Sequence, residues 1–205
     1  TLDAELHGAS VLNTLGIPFN EDIDVVAHGR LLGSAKAPRI DDLDLKVISG
    51  AFDATVRGQV SSLWPKLASQ LDIKAQVPDL GYFSNVIGAV PDVLPELKAS
   101  VQARVTTNGT VISINQVEGD IRGHGLHGTF TGMLPDTQDW TGGTMALTVQ
   151  VDDLSSWGLG GSLRSNGADG VRVKINAANS GDRQRPLAVY GRVSGEDWTA
   201  QIRSK

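Results

Sequence analysis

The sequence predicts an all-β chain with short helices, a repeated antiparallel meander forming an elongated, curled sheet or open groove. Three observations predict it. Segment after segment alternates apolar and polar side chains with a period of two, Gly, Asn, Asp and Ser clusters punctuate those segments, and the pattern repeats at an offset of 74 residues. Composition agrees, with 24 Gly, only 5% aromatics and an apolar content that leans on Val, Leu, Ile and Ala.

The strands follow in order. Leu2-Asp3 opens a first one that matches Leu71-Asp72. Alternation then runs through Ile23/Val25/Ala27, Leu43/Leu45/Val47, Phe52/Ala54/Val56 and Ile73/Ala75/Val77. The clearest case is Leu97, Ala99, Val101, Ala103 and Val105, interleaved with Lys98, Ser100, Gln102, Arg104 and Thr106. Such a segment has one oily face and one wet face, which a helix cannot reproduce. Leu147/Val149/Val151, Val171/Val173/Ile175 and Leu187/Val189 continue the series. Thr107-Asn108-Gly109 is the kind of break that a hairpin turn makes. One segment departs from the rhythm: behind Asp79, a candidate cap, Leu80, Phe83 and Ile87 fall at helical spacing. A short helix is expected there, and others at Ala9 to Gly16 and Asp153 to Leu159.

The repeat aligns Asp22 to Val60 with Glu96 to Leu134, with identities at Arg30/Arg104, Ile40/Ile114, Thr55/Thr129 and Gly58/Gly132. Gln76, Val77, Asp79 and Leu80 recur as Gln150, Val151, Asp153 and Leu154. The expected organisation is one continuous array over 1–205: unit I about 1–68, unit II about 69–142, and a partial or divergent unit III about 143–205. About twelve strands side by side would extend roughly 55 to 60 Å, and twist makes so large an open sheet curl, fold over or close.

Charge narrows the function classes. A net charge of −5 gives no basic footprint, which disfavours both nucleic acid and an anionic membrane surface as partners. Cysteine is absent, so thiol catalysis, disulfides and Cys-ligated metals are excluded. There is no basic leader and no long apolar run, so a membrane anchor is expected upstream of residue 1.

The motifs favour structural readings. Gly123-His-Gly-Leu-His-Gly128 satisfies GxGxxG but lacks the parallel strand and following helix of a dinucleotide site, so its small residues are read as easing a strand bend. His124 and His127 are spaced so that on a strand their rings diverge, and no metal is expected. Asp41-Asp42-Leu43-Asp44 and Asp152-Asp153 lack the calcium-loop pattern and are read as a solvated turn, strand ends or a helix cap. No nucleophile elbow and no paired acids occur, so neither an enzyme nor a cofactor is expected. Trp64, Trp140, Trp157 and Trp198 are spread along the chain, as loop anchors rather than a sugar-binding box.

The run Val77-Pro-Asp-Leu80, the helical segment to Pro91, Leu97-Lys-Ala-Ser-Val-Gln-Ala, then Ile112-Ser-Ile-Asn-Gln-Val-Glu-Gly-Asp-Ile121 and Gly128-Thr-Phe-Thr-Gly132 resemble the repeat of the AsmA family. The likeness covers most of 1–155 and involves no catalytic letters. It implies a Gram-negative periplasmic protein, anchored in the inner membrane and related to TamB and the bridge-like lipid transfer proteins. The family's repeats form a β groove linked to phospholipid transport and outer-membrane biogenesis.

The expected lining of such a groove is Val25, Leu45, Val47, Phe52, Val56, Ile73, Leu97, Val101, Ile112, Ile114, Leu126, Phe130 and Val149, acting collectively on phospholipid or another acyl-chain lipid. Two alternatives stand beside it. A closed sandwich or solenoid with a dry core gives the same alternation. A structural or adaptor module would bind another envelope protein through its edge strands, Leu2 to His7 or Trp198 to Arg203.

Overall fold

The computed structural model describes residues 2–7, 23–81, 97–152, 170–179, 187–195 and 198–204. Among these residues twelve strands form one antiparallel sheet, each hydrogen-bonded to its sequence neighbours. They are β1 (Leu2–His7), β2 (Ile23–Ser34), β3 (Ala37–Ser49), β4 (Asp53–Ser62), β5 (Ala68–Val77) and β6 (Lys98–Asn108). Then follow β7 (Val111–Gly123), β8 (Leu126–Leu134), β9 (Thr144–Val151), β10 (Val171–Asn179), β11 (Leu187–Ser194) and β12 (Thr199–Arg203). The sheet is open: among the described residues β1 pairs only with β2 and β12 only with β11, so no barrel closes.

The repeat is visible in the strand positions. β3 and β7 begin and end 74 residues apart, and the register irregularity after Ile40 in β3 recurs after Ile114 in β7. β10, β11 and β12 follow β6, β7 and β8 at nearly the same spacing. A bulge leaves an extra residue unpaired and increases local twist, so its recurrence gives successive units a similar bend.

Turn chemistry explains the hairpins. His124 and Gly125 link β7 to β8 with φ of 47° and 69°. Two positive values mark the mirror-image turn that suits the twist of flanking strands. This corrects the reading of Gly123 to Gly128 as a strand bend, and an antiparallel hairpin offers no phosphate-binding helix terminus. Between β3 and β4, the Ser49 hydroxyl accepts from the amides of Ala51 (3.1 Å) and Phe52 (3.0 Å). Asp79 accepts from the Gly81 amide at 2.8 Å, as a cap would, and Leu80 and Gly81 have helical geometry. Beyond Gly81 the expected helix lies outside the described residues, as do those at 9–16 and 153–159.

Among the described residues few are interior: the buried hydrophobics are Ile23, Val25, Ala51, Val60 and Leu97, and Leu45, Val47 and Phe52 pack against Ile23, Val25 and Ala51.

Candidate functional site

The twelve-strand register aligns apolar positions into rows that cross the sheet. One row reads Val25, Val47, Ala54, Ala75, Val101, Gly119, Phe130, Leu147, Ile175, Gly191 and Ile202, each the direct partner of the next. No polar side chain interrupts it from β2 to β12. A second row, two residues along, runs Ala27, Leu45, Val56, Ile73, Ala103, Val117, Gly132, Met145, Ala177 and Val189. Because side chains alternate across the pleat, both rows stand on one face.

All thirteen residues singled out from the sequence lie on that face. Val25, Val47, Val101 and Phe130 belong to the first row, and Leu45, Val56 and Ile73 to the second. Val149 stands opposite Gly128, Leu126 opposite Val151, Ile114 opposite Val105 and Ile112 opposite Thr107. Phe52 packs with the Ile23 cluster, and Leu97 keeps the alternation two residues before Ala99.

The expected lining left out the small members Ala27, Ala103, Gly119 and Gly132: alternation places both alanines on the oily side of their strands, but a glycine in a strand carries no side-chain signal and reads as a break.

Most of the face is half-exposed, and among the described residues no second layer covers it. A sheet packed into a sandwich would bury these positions almost completely. A hollow of about 510 Å³ opens beside β8 to β12, with Gly132, Met145, Ala177, Val189, Tyr190 and Arg203 among its lining.

The opposite face is charged, and its register is ordered too. Asp3, His28, Asp44, Arg57, Asp72 and Arg104 occupy successive partner positions from β1 to β6, acid alternating with base. His28 Nδ1 lies 3.0 Å from Asp3, Arg57 Nε donates to Asp44 at 3.1 Å, and Arg104 Nε donates to Asp72 at 2.8 Å. Each pair is exposed and contributes at most about 1 kcal/mol. A slip of one residue would place these charges on the apolar face, so the row helps to fix register.

The remaining motifs find structural roles. Asp41, Asp42 and Asp44 lie inside β3, not in a turn, and pair with three different arginines: Arg39, Arg30 and Arg57. They therefore do not converge on a cation. His124 sits in its turn, and His127 is exposed on β8. Among the described residues no cluster of His, Cys, Asp or Glu could hold a metal, and no helix is long and apolar enough to cross a membrane. Trp64 and Trp140 lie at one end of the sheet and Trp198 at the other, so they form no box; Trp157 lies outside the described residues.

No family model, curated protein or solved structure matches this chain.

Proposed function

We propose that this chain holds acyl-chain lipid on its apolar face, as a periplasmic β-groove segment that conducts phospholipid between membranes and supports outer-membrane biogenesis. The observation that carries the reading is the uninterrupted apolar row from Val25 to Ile202, half-exposed over most of its length on an open sheet. A continuous oily face in water needs a cover, and lipid tails supply one at about 0.8 kcal/mol per buried methylene. A ten-residue strand spans about 33 Å, more than the roughly 15 Å that one leaflet's tails occupy, so the face has room for whole chains. Head groups would stay in water beyond the strand ends. Holding of this kind makes and breaks no covalent bond, and its affinity comes from area rather than from any one residue. The envelope location, the inner-membrane anchor and the phospholipid cargo rest on the AsmA-like pattern of residues 77–132.

The test is native mass spectrometry after gentle extraction. Bound phospholipid is expected on the wild-type chain, and Val101→Asp or Phe130→Asp should release it while far-ultraviolet circular dichroism stays unchanged. A lipid-free, folded wild type would overturn the reading.

A second reading is favoured by the edges of β1 and β12, each hydrogen-bonded on one side only among the described residues. An adaptor would use them to add a partner's strand. It predicts a partner cross-linked through Leu2 to His7 or Trp198 to Arg203, with no lipid bound.

A further inference from the structure

The sheet has a period of four strands, and its two edges stand at matching phases of it. Long connections precede β2, β6 and β10, over 8–22, 78–97 and 152–170, whereas no other connection exceeds nine residues. β2 to β5 and β6 to β9 are therefore whole periods, and β10, β11 and β12 are the first three strands of another. β1, which leads into a long connection as β5 and β9 do, is a strand of the fourth kind.

The first apolar row gives the same phase residue by residue. A shift of 72 residues carries Gly119 to Gly191 and Phe130 to Ile202, and Gly191 meets Ile202 as Gly119 meets Phe130. On β1, Leu6 meets Val25 as Ala75 meets Val101 and Leu147 meets Ile175. Phe130 has Leu147 on its other side and is half-buried; among the described residues Ile202 has no partner there and is 53% exposed. The neighbour that the period calls for beside Ile202 is a residue in the position of Leu147, and Leu6 holds that position.

Backbone and charge fit the same pairing. Ser204 N donates to Val189 O at 3.0 Å, so by alternation along the strand Ile202 also turns its backbone groups to β11, and Gln201 and Arg203 turn theirs to the open edge. Copying the register of β8 on β9, where Phe130 meets Leu147, puts Leu6 opposite Ile202, His7 opposite Gln201 and Glu5 opposite Arg203. The apolar row then continues, and an acid meets a base on the next position along. An unrelated strand would satisfy the backbone groups, but only a strand of the fourth kind matches row and phase together.

We propose that β1 of a second copy of this chain adds to β12 in that register, so that copies join head to tail and the apolar row runs on from one to the next. The proposal takes from the adaptor reading only the adding of strands at these edges, and it names the strand. The contact is heterologous, β1 on β12, so each added copy presents the same two edges again. A single strand pair is small beside the roughly 800 Å² per partner of a stable interface, so the association is weak and is best trapped chemically.

The test begins with sedimentation velocity of the purified chain, where species larger than a monomer should grow with concentration. Gln201→Pro removes an outward N–H without breaking a bond to β11, and should leave a monomer with an unfolding midpoint close to that of wild type. Arg203→Glu should weaken assembly, and adding Glu5→Arg should restore it. The chain has no cysteine, so a mixture of His7→Cys and Gln201→Cys chains should form a mixed disulfide on mild oxidation. His7→Cys mixed with Arg203→Cys, two residues out of register, should form about tenfold less. A wild type that stays monomeric and a mixture that gives no disulfide would overturn the proposal. So would His7→Cys or Gln201→Cys linking to itself as readily as to the other, since like edges would then be meeting. A monomer that still captures another envelope protein through Leu2 to His7 would overturn it while leaving the adaptor reading standing.

Discussion

The ring of Phe130 on β8 lies across Gly119 on β7, so that a Cβ at position 119 would sit 2.6 Å from Phe130 Cε1 and 2.5 Å from Ser100 O. The glycine is what lets the aromatic ring lie down on the sheet. In this way the apolar row stays closed at the one place where β7 supplies no side chain of its own.

Gly119→Ala should therefore destabilise the chain by about 1–3 kcal/mol, the range for overpacking a filled site. Urea unfolding followed by circular dichroism would show a lower midpoint at similar slope. Adding Phe130→Ala should recover only part of the loss, because the clash with Ser100 O remains. Gly128 serves as the control: its added Cβ meets nothing closer than 3.6 Å, and Gly128→Ala should be nearly neutral. Equal costs at 119 and 128 would contradict the packing argument.

The β7–β8 turn makes a second prediction. His124 holds a φ of 47°, which costs an ordinary L-residue about 1–2 kcal/mol and a glycine almost nothing. His124→Gly should raise the thermal midpoint, and His124→Val, branched at Cβ, should lower it. A midpoint that is blind to both would mean that the turn is not formed in solution.

Asp139, in the β8–β9 loop, gives a pH prediction. The hydrogen bond from the Thr141 hydroxyl, helped by the Thr141 amide, holds its pKa below the ordinary carboxylate value, although the group is fully exposed. With the folded value below the unfolded one, the loop's added stability is present above the ordinary carboxylate range. It is lost as pH falls through the lowered folded value. Thr141→Val should move the Asp139 titration upward, read by carboxyl carbon NMR, with the amide bond keeping the shift incomplete. An unmoved titration would show that the hydroxyl contributes nothing.

Much of this was legible before any coordinates, and the reasons can be read off particular residues. Val101 and Phe130 announce their face by strict alternation with Gln102, Arg104, Thr129 and Thr131. Ile40 and Ile114 announce the repeat that later proves to carry a shared bulge. The turn at His124-Gly125 was only partly legible: histidine tolerates positive φ better than most residues, but the glycines around it fall in an alternating pattern that favours a strand bend. Nor was the row from Asp3 to Arg104, since it depends on which residue of one strand meets which of the next. Register shifts beside Arg30, Leu43 and Ser62 alter that pairing, and no local preference states where they fall.

What the sequence by itself determined is which side of each strand is oily, since period-two patterning is a property of a single strand and needs no neighbour. Only the tertiary structure decided that these sides join into one open face and that its two edges match in phase. Both depend on register and on the pairing of strands far apart in the chain. Loop lengths, bulges and the closing of hydrogen bonds set those together, not one segment at a time.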